Sequence, residues 1–254
     1  MERITFEKLN AVYQLNTKYS KLKTEDYNSS YSCMWEVNAQ RNTTSSSYVF
    51  IMDRKEVRIN GKPVEKLMDR VVYEMGSALY PVRLEVTGQM EPMRILNYEE
   101  ILERRKAIEE KCRKDYPGDV INRYIKHSEK YFSKPRVLLL SLYNDSFIKL
   151  YFRNLFEIPV EKDVRERVDF YNFPLSEMKS SYYCTITKPE ENKRKLYGPL
   201  MAIIPGQDGQ AQIEYSFSPQ GNPVMINGVF TAKKDLKEYR KKIDINLQGN
   251  TDKK

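Results

Sequence analysis

The side chains best suited to chemistry in this chain are one histidine and three cysteines. His127 is the only histidine, and Cys33, Cys112 and Cys184 lie far apart in the sequence. A Cys–His pair supports nucleophilic catalysis only where the fold brings both side chains together, and this spacing does not require it. One histidine and three scattered cysteines also match none of the usual zinc-ligand spacings. We therefore predict no catalytic dyad and no metal site, and we expect His127 on a helix surface.

Paired carboxylates and one glycine-rich turn are the other motifs that chemistry could use. Neighbouring residues on a helix point in different directions, so Glu99-Glu100 and Glu109-Glu110 should not converge on a substrate. Glu190-Glu191 lies in an expected turn. The stretch from Gly206 to Gly209 lacks the lysine and the following helix of a phosphate loop. The sequence thus predicts a non-enzymatic protein with no catalytic residue and no cofactor.

Basic clusters make an anionic partner the sharpest alternative. The chain carries a net charge of +8 and has a pI of about 9.1, which makes nucleic acid or another anion worth testing. Acidic residues interrupt almost every cluster, however, and alternating charge is typical of a solvated face. Nucleic-acid or other anion binding therefore ranks second. The clusters are Arg104–Lys106, Lys111–Lys114, Lys193–Lys195, Lys233-Lys234 and Arg240–Lys242.

Aromatic and sulfur-containing side chains favour recognition of another protein. The chain has 19 tyrosines and 10 methionines, residue types that suit protein-binding surfaces. We predict a protein-binding module, such as an adaptor, secretion chaperone, immunity protein or assembly component. A carrier of an apolar ligand in a sheet-lined cavity is the third hypothesis. The oligomeric state stays open. The candidate binding residues, all strand aromatics, are Tyr31, Trp35, Tyr182, Tyr183 and Tyr215.

Cysteine usage and the missing apolar segments bear on the compartment. An odd number of distant cysteines is no disulfide framework, so we expect three thiols buried or half-buried in a reducing cytoplasm. The longest apolar run, Val137–Leu140, is far shorter than the roughly 20 residues needed to span a bilayer. The first residues lack the apolar core of a signal peptide. These features predict a cytoplasmic protein without a transmembrane segment, and a processed secreted chain is the alternative.

The segments before residue 98 are expected to be mostly strands. Residues Tyr31–Asn38 alternate strictly between apolar and polar types, which indicates a half-buried strand. Asn60-Gly61 is a strong hairpin-turn signal. Pro63–Leu79 has apolar residues at spacings of three and four and is predicted to be one helix. A further hairpin is expected between residues 82 and 96.

The stretch Tyr98–Phe156 is predicted to be a block of four helices. We expect Asn97, Asp119 and Asp145 to cap three of them, and Pro135 to open the remaining one. The segment Val137–Leu142 is apolar nearly all round and should be buried.

Strand candidates follow at regular intervals from Arg167 to Leu247 and predict an antiparallel meander. The fold class is therefore α+β, with curved, mostly antiparallel β-sheet(s) from the N- and C-terminal parts packed on a central block of helices. We expect one domain over 1–254, comprising a β-rich part (1–97), helices (98–158), a β meander (159–247) and a tail (248–254). Two lobes, 1–158 and 159–254, are the alternative.

Overall fold

A computed structural model provides the structure of the chain. It describes residues 8–22, 28–42, 44–153, 165–171, 179–186, 192–201, 208–219, 221–234 and 237–250. Within these ranges there are twelve β-strands, five α-helices and one 3₁₀ helix, Lys130–Phe132. The strands are β1 Lys8–Leu22, β2 Asn28–Arg41, β3 Ser47–Ile59, β4 Lys62–Pro63, β5 Val82–Thr87, β6 Pro92–Ile95, β7 Arg165–Tyr171, β8 Lys179–Ile186, β9 Lys193–Pro199, β10 Gln210–Phe217, β11 Pro223–Lys234 and β12 Lys237–Asn250. The helices are α1 Leu67–Ser77, α2 Tyr98–Asp115, α3 Asp119–Glu129, α4 Pro135–Leu142 and α5 Ser146–Tyr151.

The twelve strands form one antiparallel sheet in which the two parts of the chain meet at the centre. The order is β6-β5-β3-β2-β1-β12-β11-β10-β9-β8-β7, with β4 attached to β3. β1 pairs with β12, so that Leu15 lies opposite Ile245. Among the described residues the sheet does not close, and β6 and β7 are its outer strands. A large antiparallel sheet combined with helices confirms the expected α+β class at this level.

One face of the sheet carries most of the core. Along β1, Leu9, Ala11, Tyr13 and Leu15 are buried and alternate with partly exposed residues, as the two-residue period of a strand requires. We call this face the inner face. Inner-face residues of every strand from β5, near one side of the sheet, across to β7, at the other side, form a single apolar cluster. Residues of α4 and α5 belong to the same cluster.

Helix α5 lies against the inner face and touches strands from both parts of the chain. The Tyr151 ring packs edge-on against Phe50 of β3, at a centroid distance of 6.3 Å. Tyr215 of β10 donates a hydrogen bond of 3.3 Å to the Leu150 carbonyl. The Lys149 amino group donates to the Asp169 carbonyl of β7. Helix α5 is therefore a common packing centre for strands that lie far apart in the sheet order.

A second, smaller core joins the first three helices. Val71 and Met75 of α1 pack in one cluster with Cys112 of α2 and with residues of α3. The Glu74 carboxylate accepts one hydrogen bond from the Tyr116 hydroxyl and binds the Lys111 amino group at 3.1 Å, which fixes α1 to α2. These contacts bury a narrow stripe of α1.

Several local predictions need correction. The first helix runs over Leu67–Ser77 and is shorter than the expected Pro63–Leu79. Asn97 precedes α2, but its side-chain carbonyl accepts from the Arg83 amide at 2.9 Å and does not cap the helix. Gly118 takes the cap position of α3, and Asp119 is its first residue. Asp145 caps α5 as predicted, since its carboxylate accepts from the amides of the second and third helical residues.

Burial of the segment Val137–Leu142 was predicted too broadly. Leu138 and Leu142 are buried, whereas Leu140 is 60% exposed. Helix α4 lies at the margin of the sheet, where it contacts β6, so only one side of it is covered. Because α4 packs at the edge of the sheet and not over its middle, only part of its apolar surface is buried.

Candidate functional site

The structure places four of the five predicted binding aromatics on the inner face. Trp35, Tyr182 and Tyr215 are at most 1% exposed, and Tyr31 is partly buried. Tyr183 is 42% exposed, because alternation along β8 turns it away from its buried neighbours Tyr182 and Cys184. Tyr183 is therefore separated from the other four.

The inner-face aromatics pack against other side chains and against the backbone. Trp35 stacks on Phe147 of α5, with ring centroids 4.6 Å apart, and meets Tyr80 edge-on. The Tyr182 hydroxyl donates a hydrogen bond of 2.9 Å to the Thr231 carbonyl. Stacked and edge-on rings at these distances stabilise a core beyond the simple burial of area. That these residues bind a ligand stays a prediction.

Charged side chains gather at the start of α5. The Arg54 guanidinium lies over the Tyr80 ring, 4.6 Å from its centroid, and interacts electrostatically with Asp145. Lys241 is only 4% exposed, and its amino group donates to the Ser146 hydroxyl at 3.1 Å. Burial lowers the pKa of Lys241 to about 7, and the nearby positive charge of Lys149 adds to this effect.

Three buried polar atoms near α5 have no hydrogen-bond partner of normal geometry within the described part of the chain. They are the hydroxyls of Tyr31 and Tyr151 and the indole nitrogen of Trp35. Tyr31 and Trp35 face the Cys33 thiol, a weak acceptor. The Tyr151 hydroxyl lies next to that of Tyr13. Buried polar groups without a regular partner are uncommon in folded interiors.

The residues considered for nucleophilic chemistry differ in exposure, since the cysteines are buried and His127 is not. All three cysteines are buried and free of disulfides, as expected. Burial raises the pKa of the Cys33 thiol to about 12 and that of Cys112 above its usual range, so both stay protonated at neutral pH. His127 is exposed on α3, where it meets the Tyr131 ring edge-on. Among the described residues, no group of three His, Cys, Asp or Glu side chains is arranged to hold a metal ion.

The largest departure from the sequence-based expectation is an apolar surface outside the sheet. On α1, Met68 is 38% and Val72 is 45% exposed, one helical turn apart. At the start of this helix, where Asp69 of α1 forms part of the wall, lies a groove of about 240 Å³ that is also lined by Ile59, Pro63 and Val64. We call these five apolar residues the α1 surface.

Hairpin geometry holds this groove in place. Asn60 and Gly61 both have positive φ angles, at 52° and 75°, and form the predicted two-residue turn between β3 and β4. The Asn60 amide donates to the Ser30 carbonyl, and its side-chain carbonyl accepts from the Ser30 amide, both at 2.8 Å. These hydrogen bonds fix the turn to β2, and the turn residue Asn60 lines the groove in that position.

Sequence reasoning missed the α1 surface because it assigned every apolar residue of the helix to one face. The signal was present in the width of that face. The predicted stripe of seven apolar residues from Val64 to Leu79 is wider than α2 and α3 can cover. Only Val71 and Met75 of α1 enter the small core.

Comparison with known proteins adds no assignment. No protein-family model matches the chain, and no curated protein sequence matches it significantly. No helix among the described residues is long and apolar enough to cross a membrane. The geometry of the fold and its surfaces therefore provides the basis for a functional proposal.

Proposed function

We propose that this protein is a non-enzymatic binding protein that recognises another polypeptide through the α1 surface. The observation that carries the proposal is the exposure of Met68 and Val72 on a helix whose other side is fixed in a core. Contiguous exposed apolar side chains are typical of protein-binding sites, and Met68 and Val72 are neighbours on the surface of α1. Methionine is frequent on such surfaces because its flexible thioether adapts to different partners.

The groove determines which partner would fit. Ile59, Pro63 and Val64 offer apolar contacts, while Glu65 and Lys66 supply both signs of charge at the rim. A volume of about 240 Å³ accommodates one or two side chains and not a whole folded domain. We expect the partner to insert an apolar side chain here and to lay a short segment along Met68 and Val72.

The packing around α5 favours recognition outside the sheet. Strands β3 and β7 are eight positions apart in the sheet order, which is about 38 Å in a flat sheet. Both touch α5, a helix of six residues and therefore about 9 Å long. We infer that the sheet curves around α5. With aromatic side chains of α5 filling this space, an apolar ligand would have to displace the helix.

Replacing the exposed apolar side chains with glutamine tests the proposal. The double variant Met68→Gln/Val72→Gln removes apolar surface without adding charge and keeps a good helix former at both positions. We expect a polypeptide from the native host that is retained by the wild-type protein to be lost from this variant. Affinity capture followed by mass spectrometry and a direct binding titration provides the measurement.

A matched control comes from two other helices. Val120 and Leu140 are 56% and 60% exposed, and they lie on α3 and α4. The double variant Val120→Gln/Leu140→Gln should retain the same partner with unchanged affinity. Loss of the partner from the control but not from the α1 variant would place recognition elsewhere, and so would recovery of lipid in place of protein.

A further inference from the structure

A larger groove lies beside the α1 surface, and most of its lining residues belong to the outer side of the sheet. It has a volume of about 560 Å³ and is formed by β1, β2 and β12. The hydrogen-bonded pair Ser30 and Asn60 separates the two grooves, since Ser30 lines the larger and Asn60 the smaller. Three exposed cations line the larger groove, Lys18 from β1 and Arg240 and Lys242 from β12.

The strand register concentrates these cations. Lys18 lies directly opposite Lys242 in the β1–β12 pair, and Arg240 is two residues further along β12, on the same face. Side chains directly opposite each other are about 5 Å apart at Cβ, and like charges there destabilise the sheet. An anion bound between Lys18 and Lys242 would relieve this repulsion.

The carboxylates nearby compensate only part of this charge. Asp244 binds the Lys242 amino group at 3.1 Å. Over the described ranges, no carboxylate oxygen lies within 4.0 Å of the Lys18 amino group or of the Arg240 guanidinium. Glu238 lies two residues from Arg240 on the same face of β12, so three cations and two carboxylates leave this region with a positive formal charge.

Hydroxyl groups complete the set of donors. Ser30 lies opposite Lys18 on the β2 side, and Ser20 lies opposite Arg240 on the β12 side. Two ammonium groups, one guanidinium fork and two hydroxyls therefore converge on one face of three neighbouring strands. This combination suits a tetrahedral oxyanion, because arginine donates to two oxygens at once while lysine and serine reach the others.

We propose that this groove binds the dianion of a phosphate monoester. A monoester carries a charge of about −1.5 to −2 at neutral pH, which the lysine and arginine side chains of the groove attract, and it offers three acceptor oxygens. The groove is larger than one phosphate group requires and lies within the range of small-molecule sites, so the organic part of the ester has room. The site is distinct from the α1 surface and does not depend on the function proposed for it.

Thermal unfolding and calorimetric titration with adenosine monophosphate and with inorganic phosphate test this site. We expect adenosine monophosphate to raise the melting temperature of the wild-type protein in proportion to its occupancy. The variants Lys18→Gln and Arg240→Gln should each bind it about tenfold more weakly, which is the loss of one charge-assisted hydrogen bond. The variant Lys8→Gln, at the other end of β1, should bind like wild type.

The variants also report on folding and on the class of anion. Lys18→Gln relieves the repulsion with Lys242, so its melting temperature without ligand should equal or exceed that of wild type. An equal response of wild type and Lys18→Gln to both phosphates would mean a non-specific salt effect and would overturn the proposal. A further outcome would overturn the proposal in favour of a nucleic-acid backbone. In that case the monoester would not bind, whereas a single-stranded oligonucleotide would bind wild type and lose affinity for both variants.

Discussion

Helices α5 and α1 use apolar side chains in opposite ways. In α5, four of six residues are buried, and Phe147 is in contact with Trp35, Tyr13 and Tyr151. In α1, only two of eleven residues are buried, and Met68 and Val72 face outward. The difference arises from the number of neighbours: strands from both parts of the sheet surround α5, whereas α1 has two other helices on one side. Apolar side chains therefore stabilise the fold in α5, whereas we propose that those exposed on α1 take part in recognition.

The largest effect that would test this comparison is expected from Phe147→Ala. Its side chain is 0% exposed and stacks on Trp35 and Tyr151, so its removal opens a cavity at the packing centre of the sheet. We expect a loss of about 3–5 kcal/mol in the free energy of unfolding. The matched change on α1, Val72→Ala, should cost less than about 1 kcal/mol. Urea denaturation of both variants provides the measurement, and equal losses would contradict the proposed contrast.

Lys241 provides a pH-dependent test of the environment of α5. Its pKa is lowered from 10.5 to about 7, chiefly by burial, while Asp145 acts in the opposite direction. The unfolded chain therefore binds the proton more tightly, and the resulting destabilisation is fully present below pH 7 and is relieved as the pH rises toward 10.5. Lys241→Met removes this cost, so its stability advantage over wild type should be largest near pH 6, about 2 kcal/mol or more, and shrink by pH 10.

An exposed lysine serves as the control for this pH profile. Lys62→Met lies in the β3–β4 hairpin, away from α5, and should leave the difference from wild type constant between pH 6 and pH 10. If the Lys241→Met difference were also constant, the lysine amino group would be solvated and the interior around α5 would be more open than described.

A smaller loss of stability is expected from Asp145→Ala. The carboxylate accepts hydrogen bonds from the amides of Phe147 and Ile148, at 2.8 Å and 3.3 Å, and so caps α5. Loss of an N-cap costs about 0.5–2 kcal/mol in the free energy of unfolding. Asp145→Asn retains a capping oxygen and should lose less, which chemical denaturation can resolve. If Asp145→Asn lost as much free energy of unfolding as Asp145→Ala, the cause would be the lost negative charge near Arg54 and not the lost cap.

We expect the smallest change in stability from the double variant of α1, which should have the largest effect on binding. Met68→Gln/Val72→Gln exchanges partly exposed side chains for good helix formers, so we expect its free energy of unfolding to stay within about 0.5 kcal/mol of wild type per site. Loss of the partner together with an unchanged unfolding curve would separate recognition from folding. A large loss of stability would instead show that α1 packs more tightly than its exposure indicates.

The secondary structure could be predicted from the sequence because its signals are local. Alternation identified β2, Asn60-Gly61 identified the hairpin turn, and Asp145 identified the start of α5. Burial was harder to predict, since it depends on which element covers which. Leu140 and Val72 have the residue types of a core but lie on helices that are covered from one side only. The Lys18–Lys242 pair depends on contact between residues at opposite ends of the chain, which no sequence window contains.

The most direct test of the account is the accessibility of Trp35, the only tryptophan in the chain. Aromatic side chains of α5 fill the space within the sheet, and we propose that recognition takes place on the outside. Acrylamide quenching of tryptophan fluorescence should therefore be weak in the native protein, stay weak when a partner binds, and become strong only in urea. Strong quenching of the native protein, close to that of the unfolded chain, would mean an open hollow at Trp35 and would contradict the account.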